Sequence, residues 1–404
     1  MHNEINVFSE IAPLKTVLLH RPGKELLNLT PDTLQQLLFD DIPFLKVAAG
    51  EHDIFARILK DNGAQVLYLE DLMREVLDEQ EVKEKFIRQF IEEGCADRRY
   101  HEALFSYLNS LDNNMELVLR SMEGIKYKQI DAGVKESLSD LAGENNNMLM
   151  APMPNLYFTR DPFAVVGNGV SLNRMYFETR RRETIYGEYI FRYHPRFKDT
   201  KLYYDRYAPY HIEGGDILNL NEETIAIGIS QRTEANAIEF LAKHIFRDKE
   251  SPLKRILAFS IPKDRSFMHL DTVFTQIDYD KFTIHPLIND RLRVFSLERK
   301  DDDTFNISRI DEDLDKILAR QLKLERCELI RCGGDDHIAS QREQWNDGSN
   351  TLCIAPGKIL VYERNEITNK LLESYGVEVL TMPSSELSRG RGGPRCMSMP
   401  LVRK

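Results

Sequence analysis

Apolar positions follow two different rhythms along this chain. Between Pro43 and Pro152, a stretch without proline, the segment EDLMREVLDEQEVKEKFIRQFIEE sets Val82, Phe86, Ile87, Phe90 and Ile91 at helical spacing. Residues so spaced share one face of a helix, because a turn takes about 3.6 residues. HEALFSYLNSL and MELVLRSMEG extend the pattern, and residues 70–145 read as an all-helical unit. Elsewhere the period drops to two. DILNLNEETIAIGIS sets Ile217 and Leu218 before a polar turn at Asn221 to Glu223, then alternates Ile225, Ile227 and Ile229, which predicts a hairpin. TLCIAPGKILVYER repeats the scheme around Pro356-Gly357, a dipeptide suited to a tight turn. HLDTVFTQIDYDKFTIHP, from His269, and TRDPFAVVGNGVSL, from Thr159, predict two more.

Whole units recur as well. EHDIFARILKDNGAQVLYL and NEITNKLLESYGVEVLTMP share a layout: an amphipathic helix, a glycine (Gly63 or Gly376), then a strand from Val66 or Val379. Gly-Gly-Asp also occurs twice, at Gly214–Asp216 and Gly333–Asp335. Repeated supersecondary units of this kind argue for a radial or solenoid architecture. The expected plan is a ring of ββαβ-like modules, residues 1–69 and 146–404, interrupted by one helical insertion, 70–145.

Composition narrows the chemistry. At 404 residues, 42% of them hydrophobic, the chain can bury a large core. No apolar run reaches the ~18 residues of a membrane span, and MHNEINVFSE lacks a basic region followed by an apolar stretch. A cytoplasmic location with no membrane partner is expected. A net charge of −11 disfavours nucleic acid and suits a cationic substrate. Five cysteines, an odd and small number, argue against a disulfide framework. Cys327, Cys332 and His337 match no common zinc spacing and lack a fourth ligand, so no metal is expected. GRGG has neither the strand-to-helix context of a dinucleotide loop nor the lysine of a phosphate loop, and no cofactor is expected.

Polar residues gather where the hairpins begin: Asn155 and Asp161, Glu213, then His269 and Asp271. Asp161, Glu213 and His269 fall 52 and 56 residues apart, about one module each. Singly, each also fits a strand-end cap or turn. As a set at the module period, they would converge on the axis of a radial fold. RGRGGPRCMSMP then adds Cys396 among Arg389, Arg391 and Arg395. Such positive charge is expected to lower the thiol pKa from about 8.5 and release the thiolate, with His269 as its partner. Carboxylates around a nucleophile suit a planar guanidinium, gripped at its edges with the central carbon open on its face. Arg180, Arg232 and Arg391 are left for a carboxylate at the other end, and a molecule with both groups is arginine.

LLHRPG, LLFDD, EHDIF, MPNLYFTRDPF, HIEGGDIL, FMHLDTVF, REQWNDGSN and RCMSMP together resemble the arginine deiminase family of the guanidine-modifying (pentein) superfamily, from about residue 8 onward. The resemblance implies a five-bladed α/β propeller of pseudo-symmetric ββαβ modules with an inserted all-helical domain. It implies hydrolytic deimination of arginine to citrulline and ammonia without metal or cofactor. Matched position by position, the nucleophile falls on Cys396 and the general acid/base on His269. Guanidinium-binding carboxylates fall on Asp161 and Asp271, and the supporting glutamate on Glu213. Contacts to the carboxylate end fall on Asn155, Arg180 and Arg232, Phe158 lines the site, and Arg391 matches an arginine on a mobile loop. Some members carry Gly-His before the nucleophile where this chain has Pro394-Arg395, which leaves the tuning of the thiol open. The alternatives are an amidino-group transferase and a non-catalytic arginine-binding propeller. Agmatine deimination would leave the carboxylate-binding arginines unused. A homo-oligomer packed through the helical unit is expected.

Overall fold

The computed structural model describes residues 4–130, 138, 147–263, 267–288, 292–301 and 304–404. Five small sheets follow one plan, in which an antiparallel pair is joined by a parallel third strand reached through a helix. β1 (Leu14–Leu19) runs parallel to β2 (Gln65–Tyr68) after the helix Leu45–Asp61. A two-stranded pair, β3 (Ile125–Lys126) and β4 (Met148–Met150), stands apart. β5 (Phe163–Val166) and β6 (Gly169–Leu172) form a hairpin, with β7 (Lys201–Tyr204) parallel to β6. β8 (Ile217–Asn221) and β9 (Thr224–Ile229) form the next, with β10 (Arg255–Ser260) parallel to β9 after the helix Ala235–Arg247.

β11 (Phe274–Gln276) pairs with β12 (Lys281–Ile284). A long hairpin, β13 (Arg293–Asp301) and β14 (Thr304–Ile310), crosses to the previous sheet and widens it to five strands in the order β14-β13-β10-β9-β8. β15 (Glu328–Arg331) then runs parallel to β12. β16 (Leu352–Ala355), β17 (Lys358–Tyr362) and β18 (Glu378–Met382) make the fifth set around the helix Glu366–Ser374. β19 (Met399–Arg403) returns antiparallel to β1.

All four hairpins read from the sequence are present. Their turn chemistry is visible at Gly357, whose φ of 69° lies in the left-handed region that glycine enters without penalty. The repeated helix–glycine–strand layout is also real: both copies supply the third, parallel strand of a module, β2 and β18. The two Gly-Gly-Asp triplets are not equivalent, however. Gly214–Asp216 is a 3-10 turn leading into the first strand of a module. Gly333 and Gly334 follow a third strand and carry φ of 73° and 65°. Short identical triplets thus serve two different turns.

The helical stretch consists of Leu69–Val76, Gln80–Gly94, His101–Asn109 and Asn114–Glu123, with a break where the apolar spacing ran on without a stop signal. The apolar sets on either side of Leu77 to Glu79 keep the same phase, so the break is not marked by the spacing itself. Leu72, Met73 and Val76, and then Phe86, Phe90 and Ile91, meet in one core. That core is shared with Phe163 and Leu172 of the β5–β6 hairpin and with Tyr186 and Tyr189. Residues 131–137 and 139–146 of the expected insertion lie outside the described residues.

The first strand of each module starts just after a polar or reactive residue. Asp161 precedes β5, Glu213 precedes β8, Asp271 precedes β11, Asn350 precedes β16 and Cys396 precedes β19. Equivalent places in five modules therefore supply the side chains of one site. One backbone contact shows how close they come. A Cβ on Gly215 would lie 2.5 Å from Nδ1 of His269, so the imidazole rests where only glycine leaves room.

Candidate active site

The Cys396 thiol is buried and sits 3.6 Å from Oδ2 of Asp271. Its backbone is fixed on both sides. Its N–H donates to Oδ1 of Asn350 at 3.2 Å, and its carbonyl accepts from the Arg160 N–H at 3.2 Å. Upstream, the Tyr362 hydroxyl donates to the Gly392 carbonyl at 2.6 Å. The glycine-rich segment is therefore an ordered strap that delivers the thiol.

Asp161 and Asp271 are held in the same manner. Arg180 donates to Oδ2 of Asp161 at 2.7 Å and turns its other edge to Glu183, with Nη2 at 2.8 Å from Oε2. Arg395 donates to Oδ2 of Asp271 at 2.8 Å and turns its other edge to Glu10, with contacts of 3.2 Å. In both aspartates the remaining oxygen, Oδ1, is buried with no hydrogen-bond partner. A buried acceptor left unmade costs about 1–3 kcal/mol. Two such oxygens in one site are prepared for a donor that comes from outside the chain.

His269 lies between acids. Its Nε2 is 2.8 Å from Oε2 of Glu213, and its Nδ1 is 3.9 Å from Oδ1 of Asp161. Burial opposes its charge, but Asp161, the bond to Glu213, and Asp216 outweigh that and raise its pKa to about 9. Glu213 is buried too, yet Arg232, 3.2 Å away, and His269 drive its pKa far down. Ligand atoms of Asp161, Glu213 and His269 lie within 4.8 Å of one another, close enough to surround a small cation. A metal would need the neutral imidazole, whereas the acids around this one favour its protonated form. The trio is better satisfied as an ion-paired acid donor than as a metal site.

The cavity is also lined by Asn155, Phe158, Arg180, Arg232 and Arg391, with Leu38, Met268 and Gly390. The side chains close over most of the space between them, leaving about 20 Å³ for the centre of a water-sized sphere. Asn155 is steadied by donating to the Leu37 carbonyl at 2.8 Å. Arg232 sits over the Phe177 ring, 5.0 Å from its centre, and its buried Nε has no partner. Arg391 has a left-handed backbone, φ 61°, and lays its guanidinium 3.6 Å over the ring of Trp345 while reaching Asp40 at 3.4 Å. Every candidate side chain either lines this cavity or, as with Glu213 and Asp271, bonds to one that does.

One expectation fails. Cys396 is not activated by its arginine neighbours; burial first, then Asp271, Asp161 and Asp347, push its pKa well up, and only Arg395 works against them. The arginines are already engaged, Arg389 with Asp41 and Glu386, Arg391 with Asp40, and Arg395 with Asp271 and Glu10. These influences together favour the thiol over the thiolate. Sequence reasoning also missed Asn350, which precedes a predicted hairpin at the same place as the other candidates. It missed Asp347 as well, a buried carboxylate on the cavity wall whose pKa burial raises to about 7 despite Arg391. Glu10 carried no local signal at all.

Comparison with known proteins gives a consistent picture. A family model described as arginine deiminase matches residues 35–403. A Treponema denticola protein named arginine deiminase is 57% identical over 404 residues, covering 99% of this chain and 98% of its own. Clostridium perfringens and Bacillus cytotoxicus proteins of the same name are each 52% identical, over 99% and 100% of this chain and 98% and 100% of theirs. Among solved structures, an amidinotransferase of saxitoxin biosynthesis from Microseira wollei aligns over 99% of this chain and 98% of its own, with a TM-score of 0.54 at 14% identity. A dimethylarginine dimethylaminohydrolase adduct aligns over 96% and 99%, at 0.52 and 15%. At those identities the structures speak to the fold alone, an α/β fold that this chain shares with them.

Proposed function

This chain belongs to the arginine deiminase family and hydrolyses L-arginine to L-citrulline and ammonia; we propose that it does so through a covalent amidino-thioether on Cys396. The observation that carries the reading is the pair of buried, unpartnered oxygens on Asp161 and Asp271. A guanidinium offers donors along its planar edges and satisfies both at once. Its positive charge also offsets the carboxylates that keep Cys396 protonated, so the thiolate forms once arginine is bound.

The thiolate attacks the guanidinium carbon and gives a tetrahedral adduct. The imidazolium of His269 passes its proton to the departing nitrogen, and ammonia leaves. What remains is a cationic amidino-thioether and a neutral imidazole. His269 then takes a proton from water, the resulting hydroxide adds to the same carbon, and the C–S bond breaks to release citrulline. Glu213 keeps the imidazole oriented and charged for the first step. Arginine labelled in the guanidino carbon, acid-quenched during turnover, should leave label on the peptide containing Cys396. Absence of label there, or a requirement for an added amine acceptor, would overturn the covalent hydrolytic route.

Two outcomes follow for the ends of the substrate. Arg232 lines the cavity with a buried Nε left unpartnered, and we expect it to meet the α-carboxylate together with Asn155, whereas Arg180 is taken up by Asp161 and Glu183 and serves to hold Asp161. Replacing Arg232 should cost at least roughly 2 kcal/mol in kcat/KM for arginine, and far less for agmatine, which lacks the carboxylate. Equal losses on the two substrates would assign Arg232 to structure alone.

His269 makes a second outcome readable. Its folded pKa is raised above the ordinary value, so its proton is present at neutral pH and lost as pH rises through about 9. The ammonia-releasing step should fade over that same interval. A pH profile of single-turnover ammonia release that is flat to beyond about 10 would remove His269 as the donor.

The five repeated strand sets support a five-bladed propeller, with the helices between Leu69 and Glu123 as its inserted helical domain. Among the described residues no helix is long and apolar enough to cross a membrane.

A further inference from the structure

The residue immediately before the thiol is buried to 1% exposure and does not line the cavity, yet every edge of it is occupied. Arg395 gives Nη1 to Oδ2 of Asp271, Nε and Nη2 to Glu10, and Nη2 again to the Ile217 carbonyl at 2.8 Å. Glu10 is anchored in turn by the Asn219 N–H at 2.9 Å. Across the site, Asp161, Arg180 and Glu183 repeat the arrangement. In each, a guanidinium backed by a glutamate takes one oxygen of an aspartate and leaves the other bare.

We infer that Arg395 is a positioning residue for the deimination, holding Asp271 turned so that its bare oxygen meets the substrate guanidinium. The inference rests on Asp271 being a guanidinium acceptor, as proposed above. Three geometric facts support it. The bond from Arg395 occupies the same Oδ2 that lies 3.6 Å from the Cys396 sulfur, so that oxygen is not available to rotate into the substrate's place. The adjoining Pro394 and the bond from Asn350 to the Cys396 N–H fix the backbone from which both Arg395 and the thiol extend. The Glu10–Ile217–Asn219 cradle comes from elements far away in sequence, so Arg395 cannot follow Asp271 if Asp271 turns.

The charges around Asp271 make the inference testable by pH. Arg395 is the cation in contact with it, and Arg160 is a second, more distant one. Asp347 and the Cys396 thiol face it as anionic or ionisable groups, and His269 stands on the same turn. Removing the contacting cation leaves Asp271 among acids, and protonating it forfeits guanidinium binding.

The test compares Arg395→Gln, Arg395→Lys and Asp271→Asn by thermal melt and by the pH dependence of kcat/KM. Arg395→Gln should lower kcat/KM by roughly a hundredfold and move the acidic limb of the profile up by about one pH unit or more. Arg395→Lys keeps the charge but not the fork. It should return the acidic limb close to wild type while kcat/KM stays at least roughly tenfold down, through KM more than kcat. If Arg395→Gln does not fold, the lysine variant alone decides. An Arg395 variant that melts normally, with wild-type kcat/KM and an unmoved acidic limb, would show that this arginine only fills the core. An active Asp271→Asn enzyme would instead sink the guanidinium reading itself.

Discussion

Cys396→Ser should abolish nearly all citrulline production while arginine still binds. The reason lies in what the site does to its nucleophile. Burial and three carboxylates already hold the thiol protonated without substrate, and arginine's charge has to bring it down. A serine hydroxyl starts several units higher and cannot be carried that far by the same cation. The change removes little packing, since oxygen replaces sulfur in a space already enclosed, and the strap is held through backbone bonds to Asn350 and Arg160 that the side chain does not make. Equilibrium binding of arginine, measured by calorimetry, should therefore persist as turnover disappears. Residual turnover above about a hundredth of wild type would refute the covalent mechanism.

Asp161→Asn and Asp271→Asn should each lower kcat/KM by roughly a thousandfold or more, about 4 kcal/mol. The amide keeps the shape of the carboxylate but can present N–H where an acceptor is required, so a donor faces a donor inside a closed site. A buried clash is added to a lost charge, and each alone is worth on the order of 1–3 kcal/mol or more. The internal arginines sharpen this. Arg180 and Arg395 each demand an acceptor from the aspartate they hold, so the amide is driven to give its oxygen inward and its NH₂ to the substrate. Either variant that melts like wild type and turns over within about tenfold of it would place the guanidinium elsewhere.

The hairpins could be read from the sequence because their information is local: a period of two, a polar or Pro-Gly turn, and then the period again. The candidate residues were legible for a related reason, since Asp161, Glu213 and Asp271 each stand at the entrance to such a hairpin. The opposite holds for Glu10 and Arg395. Nothing beside Glu10 distinguishes it from any surface glutamate, and its partner Arg395 lies at the other end of the chain. The error over the thiol has the same origin. Sequence proximity of three arginines suggested a positive field, but a charge acts through what remains after its partners are counted. Apart from Glu386, those partners, Asp40, Asp41, Glu10 and Asp271, are distant in the chain. The break at Leu77 to Glu79 was hidden because both halves carry good helical spacing in the same phase and no glycine or proline marks the joint.

The stack of Arg391 on Trp345 has a practical consequence. Trp345 is the chain's single tryptophan, and half of its surface is exposed. The guanidinium lying 3.6 Å over its ring belongs to a residue that also walls the cavity. Intrinsic fluorescence from this protein is thus the emission of one indole at the rim of the site, and a cation over that indole influences its intensity and wavelength. Whatever changes the place of Arg391 is written directly into the spectrum, with no label attached and no other tryptophan to subtract.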